Sequence, residues 1–219
     1  MQLLAITPIA LSAEEIARRQ QRYDRLSPAG VNVVVQNLGS GSEVPRALES
    51  HGDIVASEDC LRSRYRSMDS SKFDGFLPDC VLDPVVGLPP ESFERPVYGI
   101  LKLCTYFLLG QGLTVGAVAR NSAIARELDR KLASYGGDNT TGLTAILGLS
   151  VDDIADHDLW AAATRELVAA SGTSAVINGC SAVEVSAGET KLVDPTALAL
   201  QLLGFSAALG LSPGVGARE

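Results

Sequence analysis

Histidine and tryptophan are scarce here: two His and one Trp in 219 residues. Two histidines, His51 and His157, cannot furnish a multi-histidine metal centre, and both sit in polar stretches where exposure is the ordinary state. Bases are in deficit, with 18 Lys and Arg against 26 Asp and Glu, for a formal net charge of −8. Such a chain has no electrostatic footprint for nucleic acid or an anionic membrane. Gly and Pro, at 21 and 10, are too few for a low-complexity or collagen-like chain. No apolar run is long enough to span a bilayer. The most hydrophobic stretch, Thr196–Leu211, is broken by Gln201, Gly204 and Ser206 and suits a buried helix. Met1–Ala13 is apolar, but no Lys or Arg precedes it and Pro8 interrupts it, so it reads as a first β-strand rather than a secretion signal. Cysteine is sparse too: Cys60, Cys80, Cys104 and Cys180. No Cys-x-x-Cys pair exists, which removes zinc-knuckle and thioredoxin-type chemistry. Four cysteines in so long a chain do not make a disulfide scaffold. The expectation is a cytoplasmic protein with reduced thiols, no metal, no cofactor and a small molecule as its partner; a homo-oligomer is compatible with the apolar C-terminal helix.

What is present, with 46% hydrophobic residues, is enough for a sizeable core. Its pattern repeats. Gln2–Thr7 reads as a buried strand and Ala13–Leu26 as a helix with Ser12 as N-cap. Val31–Leu38 reads as a strand, Asp53–Ser71 as a helix, and Phe73–Asp79 as a third strand with Cys80 at its end. Leu113–Ala119 then begins the same order again. Asn121 caps a helix over Ser122–Tyr135, closed by Gly136-Gly137. Leu143–Leu149 is a strand, Asp158–Ser171 a helix and Ser174–Asn178 a strand, and Cys180 follows Gly179. The offset between the halves is about 100 to 111 residues, the mark of duplicated βαβ units rather than a solenoid. Strand–helix alternation implies parallel sheets covered on both faces with right-handed crossovers. The expected fold is α/β: two pseudo-symmetric, flavodoxin-like parallel-sheet domains over residues 1–97 and 98–219, with a C-terminal helix over 195–211 packing back on the first.

Ligands of such sheets bind outside the carboxyl ends of the strands. Cys80 and Cys180 both lie there, so a pseudo-twofold arrangement brings one cysteine to the ligand from each side. A lone cysteine at a strand end is ordinarily a small buried hydrophobe; the matched position in two halves argues for chemistry. One thiolate can take a proton from carbon on one face while a thiol delivers one to the other, inverting a stereocentre without a metal or cofactor. Asp79 and Asp83 would raise a neighbouring thiol's pKa if they point inward. Cys60 and Cys104 fall within helical patterns and read as packing residues. Trp160 and Leu167, at helical spacing, read as core, the Glu14–Arg25 charges as a solvated helix face, and Gly39–Ser42 as a plain loop.

Four segments resemble the Asp/Glu racemase superfamily, and within it the hydantoin racemase branch. They are Asp74–Pro84, with Asp79-Cys80-Val81-Leu82-Asp83-Pro84; Pro96-Val97-Tyr98-Gly99-Ile100, which opens a helix; Leu113–Ala119; and Ala175–Ala182, with the Gly179-Cys180 pair. The resemblance covers nearly the whole chain. It implies an interdomain active site, Cys80 and Cys180 as the acid–base pair, and substrate contacts from Thr7, Pro8, Val81, Leu82, Asp83, Gly179, Ser181 and Arg120. The departures point to an altered substrate. Thr7-Pro8-Ile9-Ala10 stands where hydantoin racemases have an Asn-Pro-Asn-Thr-like strand end, and Val81-Leu82 replaces Phe-Gly. Ser181-Ala182 and Val118-Ala119-Arg120 likewise lack the family's polar side chains, which implies a more apolar pocket. Arg120 or Lys102 is the candidate holder of a substrate carboxylate. The superfamily also includes maleate cis–trans isomerases and arylmalonate decarboxylases. A specialised isomerase, lyase or cyclase using one cysteine on an unsaturated or aromatic carboxylate is therefore the enzymatic alternative, and a non-catalytic small-molecule-binding protein the other.

Overall fold

A computed structural model describes residues 1–89, 92–137, 140, 144–185 and 191–211. Its strands form two wholly parallel sheets. The first has the order β2-β1-β3, from β1 (Gln2–Ile6), β2 (Asn32–Gln36) and β3 (Gly75–Phe76). The second has the order β5-β4-β6-β7, from β4 (Val115–Ala119), β5 (Ala145–Ile146), β6 (Ala175–Asn178) and β7 (Leu192–Val193). In the first sheet Val97 bridges Phe76 in parallel, in the place that β7 takes beside β6. Both halves therefore follow one flavodoxin-like winding, and the α/β, two-sheet expectation holds.

The helices are α1 (Ala13–Leu26), α2 (His51–Ser67), α3 (Ile100–Gly110), α4 (Ser122–Gly136), α5 (His157–Ala170) and α6 (Pro195–Ala208). Ser12 caps α1 by accepting from the Glu15 N–H, and Asn121 caps α4 by accepting from the Ile124 N–H, as the sequence indicates. α2 starts two residues earlier than its pattern suggests because Ser50 and Asp53 form a capping box. β3 is shorter than Phe73–Asp79, yet the extended pairing continues: the N–H groups of Asp74, Leu77 and Asp79 donate to the carbonyls of Gln2, Leu4 and Ile6. Of the strand expected over Leu143–Leu149, Leu143 lies outside the described residues. β7 and a 3-10 turn at Asp152–Ala155 have no counterpart in the sequence reading.

The buried β1 residues Leu3, Leu4, Ala5 and Ile6 are fully enclosed, as a strand covered on both faces must be. Burying such a side chain contributes about 1.5–3 kcal/mol. α6 packs against α3 and, through Gln201 and Gly204, against the end of α1 at Leu26 and Pro28. Among the described residues no helix is long and apolar enough to cross a membrane.

One expectation is corrected here. The Glu14–Arg25 charges are not all on a solvated face: Arg19 and Arg22 are buried. Arg19 follows Ile16 and precedes Tyr23 on the stripe that packs inward, and each guanidinium has a carboxylate, Asp79 for Arg19 and Asp194 for Arg22.

Candidate active site

The two cysteine loops are held in place by reciprocal braces. Arg22 of α1 donates from Nε to the Ser181 carbonyl at 3.1 Å and from Nη2 to the Val183 carbonyl at 3.2 Å, in the loop after Cys180. Lys131 of α4 donates from Nζ to the Asp83 carbonyl at 2.9 Å, in the loop after Cys80. Measured from the helix caps Ser12 and Asn121, Arg22 and Lys131 are equivalent positions. Val183 and Asp83 are equivalent too, each three residues past its cysteine. Ser181 Oγ also donates to the Asp79 carbonyl at 3.1 Å, joining the loops directly.

Each loop has its own local fixing. After Cys80 the chain turns tightly, and Asp83 and Val85 take left-handed backbone angles, with φ of 49° and 59°. This is uncommon for Asp and costly for a β-branched residue. The Asp83 carboxylate accepts from the N–H groups of Leu101 and Lys102 at 2.9 and 2.8 Å, capping α3, and from the Tyr135 hydroxyl at 3.1 Å. Beyond Cys180, Asn178 donates from Nδ2 to the carbonyls of Cys180 and Val183, and its Oδ1 accepts from Trp160 Nε1 at 3.1 Å. Trp160→Phe should leave that amide oxygen unpaired in the core and cost about 1–3 kcal/mol in urea unfolding.

These loops enclose a cavity of about 60 Å³ lined by both Cys80 and Cys180. Pro8, Val81, Leu82, Gly179, Ser181 and Arg120, all named from sequence, also line it. Two others do not. Thr7 is buried behind the wall, its hydroxyl donating to the Ile9 carbonyl and accepting from the Leu38 N–H. The Asp83 carboxylate is consumed by α3 and Tyr135, as above. Sequence reasoning raised Asp79 as a group acting on the thiols if it points inward, and Asp79 lines the cavity; it missed Arg19 and the apolar Ile9, Leu48, Ile124, Val151 and Ile154 as lining groups. A signal existed for Arg19, a charge set on an apolar helical stripe; none exists for Leu48 or Val151, which loops bring in. Cys60 and Cys104 are not among the lining residues; Cys104 is buried in α3, its thiol donating to the Pro195 carbonyl at 3.2 Å. His51 and His157 are exposed.

Both cations in the lining have carboxylate partners from this chain. Arg120 donates from Nη1 to Glu49 Oε1 at 2.6 Å and to the Leu149 carbonyl, and from Nη2 to the Leu48 carbonyl. Asn121 adds bonds to Glu49 and to the Leu48 carbonyl, so the β4–α4 junction latches the loop before α2. Arg19 is paired with Asp79 at 2.5 Å and with Glu15 at 3.2 Å. Lys102 uses its backbone N–H on Asp83 and is not among the lining residues.

Burial pushes the Cys80 thiol up to about 12; the Leu82 N–H opposes this, while Asp79, Asp83 and Cys180 add to it. Burial also raises the Cys180 thiol, but Arg19 and the N–H groups of Ala182 and Val183 pull it back, against Asp79. Burial carries the Asp83 carboxyl up to about 6, opposed by the N–H groups of Lys102 and Leu101, by Lys131 and by Tyr135. The arrangement can hold one proton on a sulfur and let the other sulfur act as a base.

No family model matches the sequence, and no curated protein matches it. Solved structures do match in fold. An allantoin racemase from Pseudomonas fluorescens superposes with a TM-score of 0.78 at 15% identity, over 98% of this chain and 94% of that one. An allantoin racemase from Klebsiella pneumoniae gives 0.72 at 17% identity, over 98% and 90%. The aspartate racemase of Picrophilus torridus gives 0.61 at 15% identity, over 94% and 95%. The chain shares the fold of these racemases along nearly its whole length.

Proposed function

We propose that this protein is a cofactor-independent racemase or isomerase in which Cys80 and Cys180 move a proton at an activated carbon of a small substrate. The observation that carries the reading is that the two cysteines, from equivalent positions in two halves, line one cavity. The fold shared with racemases supports it. In the reaction a thiolate removes the proton from a carbon next to a carbonyl. The electron pair passes to the carbonyl oxygen, and the facing thiol protonates the carbon from the opposite side. The sulfurs then hold exchanged roles, and the reverse reaction starts from that state.

The lining favours a neutral, apolar-bodied substrate such as a substituted cyclic amide over an amino acid zwitterion. Arg19 and Arg120 have carboxylate partners from this chain, and most other lining side chains are hydrocarbon. Arg120, expected from sequence to hold a substrate carboxylate, instead holds Glu49. A cavity of about 60 Å³ is far below the roughly 300 Å³ or more of a ligand site, so substrate enters with displacement of the surrounding loops.

The test is solvent deuterium uptake. Incubation in D₂O with single enantiomers of 5-substituted hydantoins, amino acids and unsaturated diacids should label the stereogenic carbon of a hydantoin-like compound while its optical activity decays. A covalent cysteine adduct without carbon-bound deuterium would turn the reading to an isomerase or lyase using one cysteine as nucleophile. Ligand binding with neither would turn it to a binding protein.

A further inference from the structure

One difference between the two halves around the cysteines is a charged cluster. On the alignment that pairs Arg22 with Lys131, Arg19 pairs with Leu128 and Tyr23 with Leu132. Asp79 and Gly179, the residues before the two cysteines, also correspond. In the first half this cluster is polar. Arg19 Nη1 donates to Asp79 Oδ2 at 2.5 Å, the Tyr23 hydroxyl donates to Asp79 Oδ1 at 3.0 Å, and Arg19 Nε donates to Glu15 at 3.2 Å. In the second half it is hydrocarbon: Leu128 and Leu132 are fully buried, and Gly179 has no side chain. Arg19 itself is only 7% exposed and lines the cavity with both cysteines.

We infer that Arg19, clamped by Asp79 and Glu15, is a positioning residue that gives the two sulfurs unlike tasks, Cys180 as the resting base and Cys80 as the resting acid. The roles rest on the racemase reading; the inequality of the sulfurs does not. The groups acting on Cys180 are Arg19 and the N–H groups of Ala182 and Val183, which favour its thiolate, against Asp79. Those acting on Cys80 are Asp79 and Asp83, which disfavour its thiolate, against the Leu82 N–H, with Cys180 itself beside it. Lys131, the second half's counterpart cation, is spent on the Asp83 carbonyl, and Arg120 is held by Glu49. Of the two lining cations, Arg19 is the one that acts on a sulfur, and that sulfur is Cys180. The pseudo-twofold is kept in the backbone and broken in the electrostatics.

Iodoacetamide tests this without any substrate, because the thiolate is the form that displaces iodide and forms the S–C bond. Cys80 is buried and Cys180 only partly so, and access by itself therefore favours Cys180; the readout that access does not set is the change in labelling when Arg19 is replaced. Peptide mapping of the first modification should place it on Cys180 ahead of Cys80, and that lead should depend on Arg19. Arg19→Gln should reduce the preference and raise the pH midpoint of Cys180 labelling, leaving that of Cys80 in place. Arg19→Lys should keep the preference. R19L/D79G, which copies the Leu128 and Gly179 pair into the first half and leaves no buried unpaired carboxylate, should bring the two rates closer even if Arg19→Gln fails to fold. Labelling of Cys80 first, equal labelling in the unaltered protein, or an unchanged ratio in R19L/D79G overturns the inference. Ordered labelling without deuterium exchange on any substrate would defeat the racemase reading alone; exchange with unordered labelling would defeat this inference alone.

Discussion

Cys80→Ala and Cys180→Ala should each lower racemisation by about 10³-fold or more, at the upper end of what a positioned acid or base contributes. The two losses should differ in kind. Without Cys80, the remaining Cys180 can still take a proton from one face and return one to that same face. Cys80→Ala is therefore expected to exchange solvent deuterium into one enantiomer with retention, while inversion disappears. Cys180→Ala leaves Cys80, the base of the reverse reaction, and should exchange the opposite enantiomer, more slowly because Asp79 and Asp83 disfavour the Cys80 thiolate. Polarimetry follows inversion and proton NMR follows exchange in the same sample. Cys80 is nearly fully buried, but removing one sulfur from a small side chain should leave the fold in place, which thermal unfolding checks. Wild-type racemisation in either variant would sink the two-thiol mechanism.

Gly179→Ala should be the most damaging small substitution in the site. A Cβ at Gly179 would lie 2.2 Å from the Val118 carbonyl oxygen and 2.9 Å from Leu128 Cδ1. The first neighbour is β4 backbone, and its oxygen already accepts from the Gly179 N–H at 2.8 Å, so it cannot withdraw without breaking the ladder. Overpacking of this kind costs about 3 kcal/mol. The control is Gly172→Ala, where a Cβ meets nothing within 4 Å and where chemical denaturation should show little change. Equal stability of the two variants would mean that the close approach of β6 and β4 is not needed to seat Cys180. At the equivalent place in the first half, Asp79 has a side chain because Arg19 and Tyr23 turn toward it, where Leu128 and Leu132 fill the space in the second.

The elements with strong periodicity were legible in the amino-acid pattern. α1 runs over Ala13–Leu26 as its caps and spacing indicate, and both cysteines stand at strand ends because the repeat order puts them there. β7 was not legible, since two residues, Leu192 and Val193, carry no period. The buried state of Arg22 was not legible either: its partners Ser181, Val183 and Asp194 lie in the other half, and a local charge pattern contains no trace of them. Arg120 drew attention as a cation at a strand end, which was right for its place. Its task was hidden because Glu49 reaches it from a loop that sequence alone does not position.

The reciprocal braces have a consequence for the order in which the protein is made. Arg22 is 159 residues before the Ser181 carbonyl it holds, and contacts so distant in the chain close late in folding. While the second half is still being synthesised, the Cys80 loop lacks Lys131, and the Cys180 loop does not yet exist. A growing chain therefore carries no juxtaposed pair of reactive sulfurs. They meet only when each half has furnished the clasp for the other.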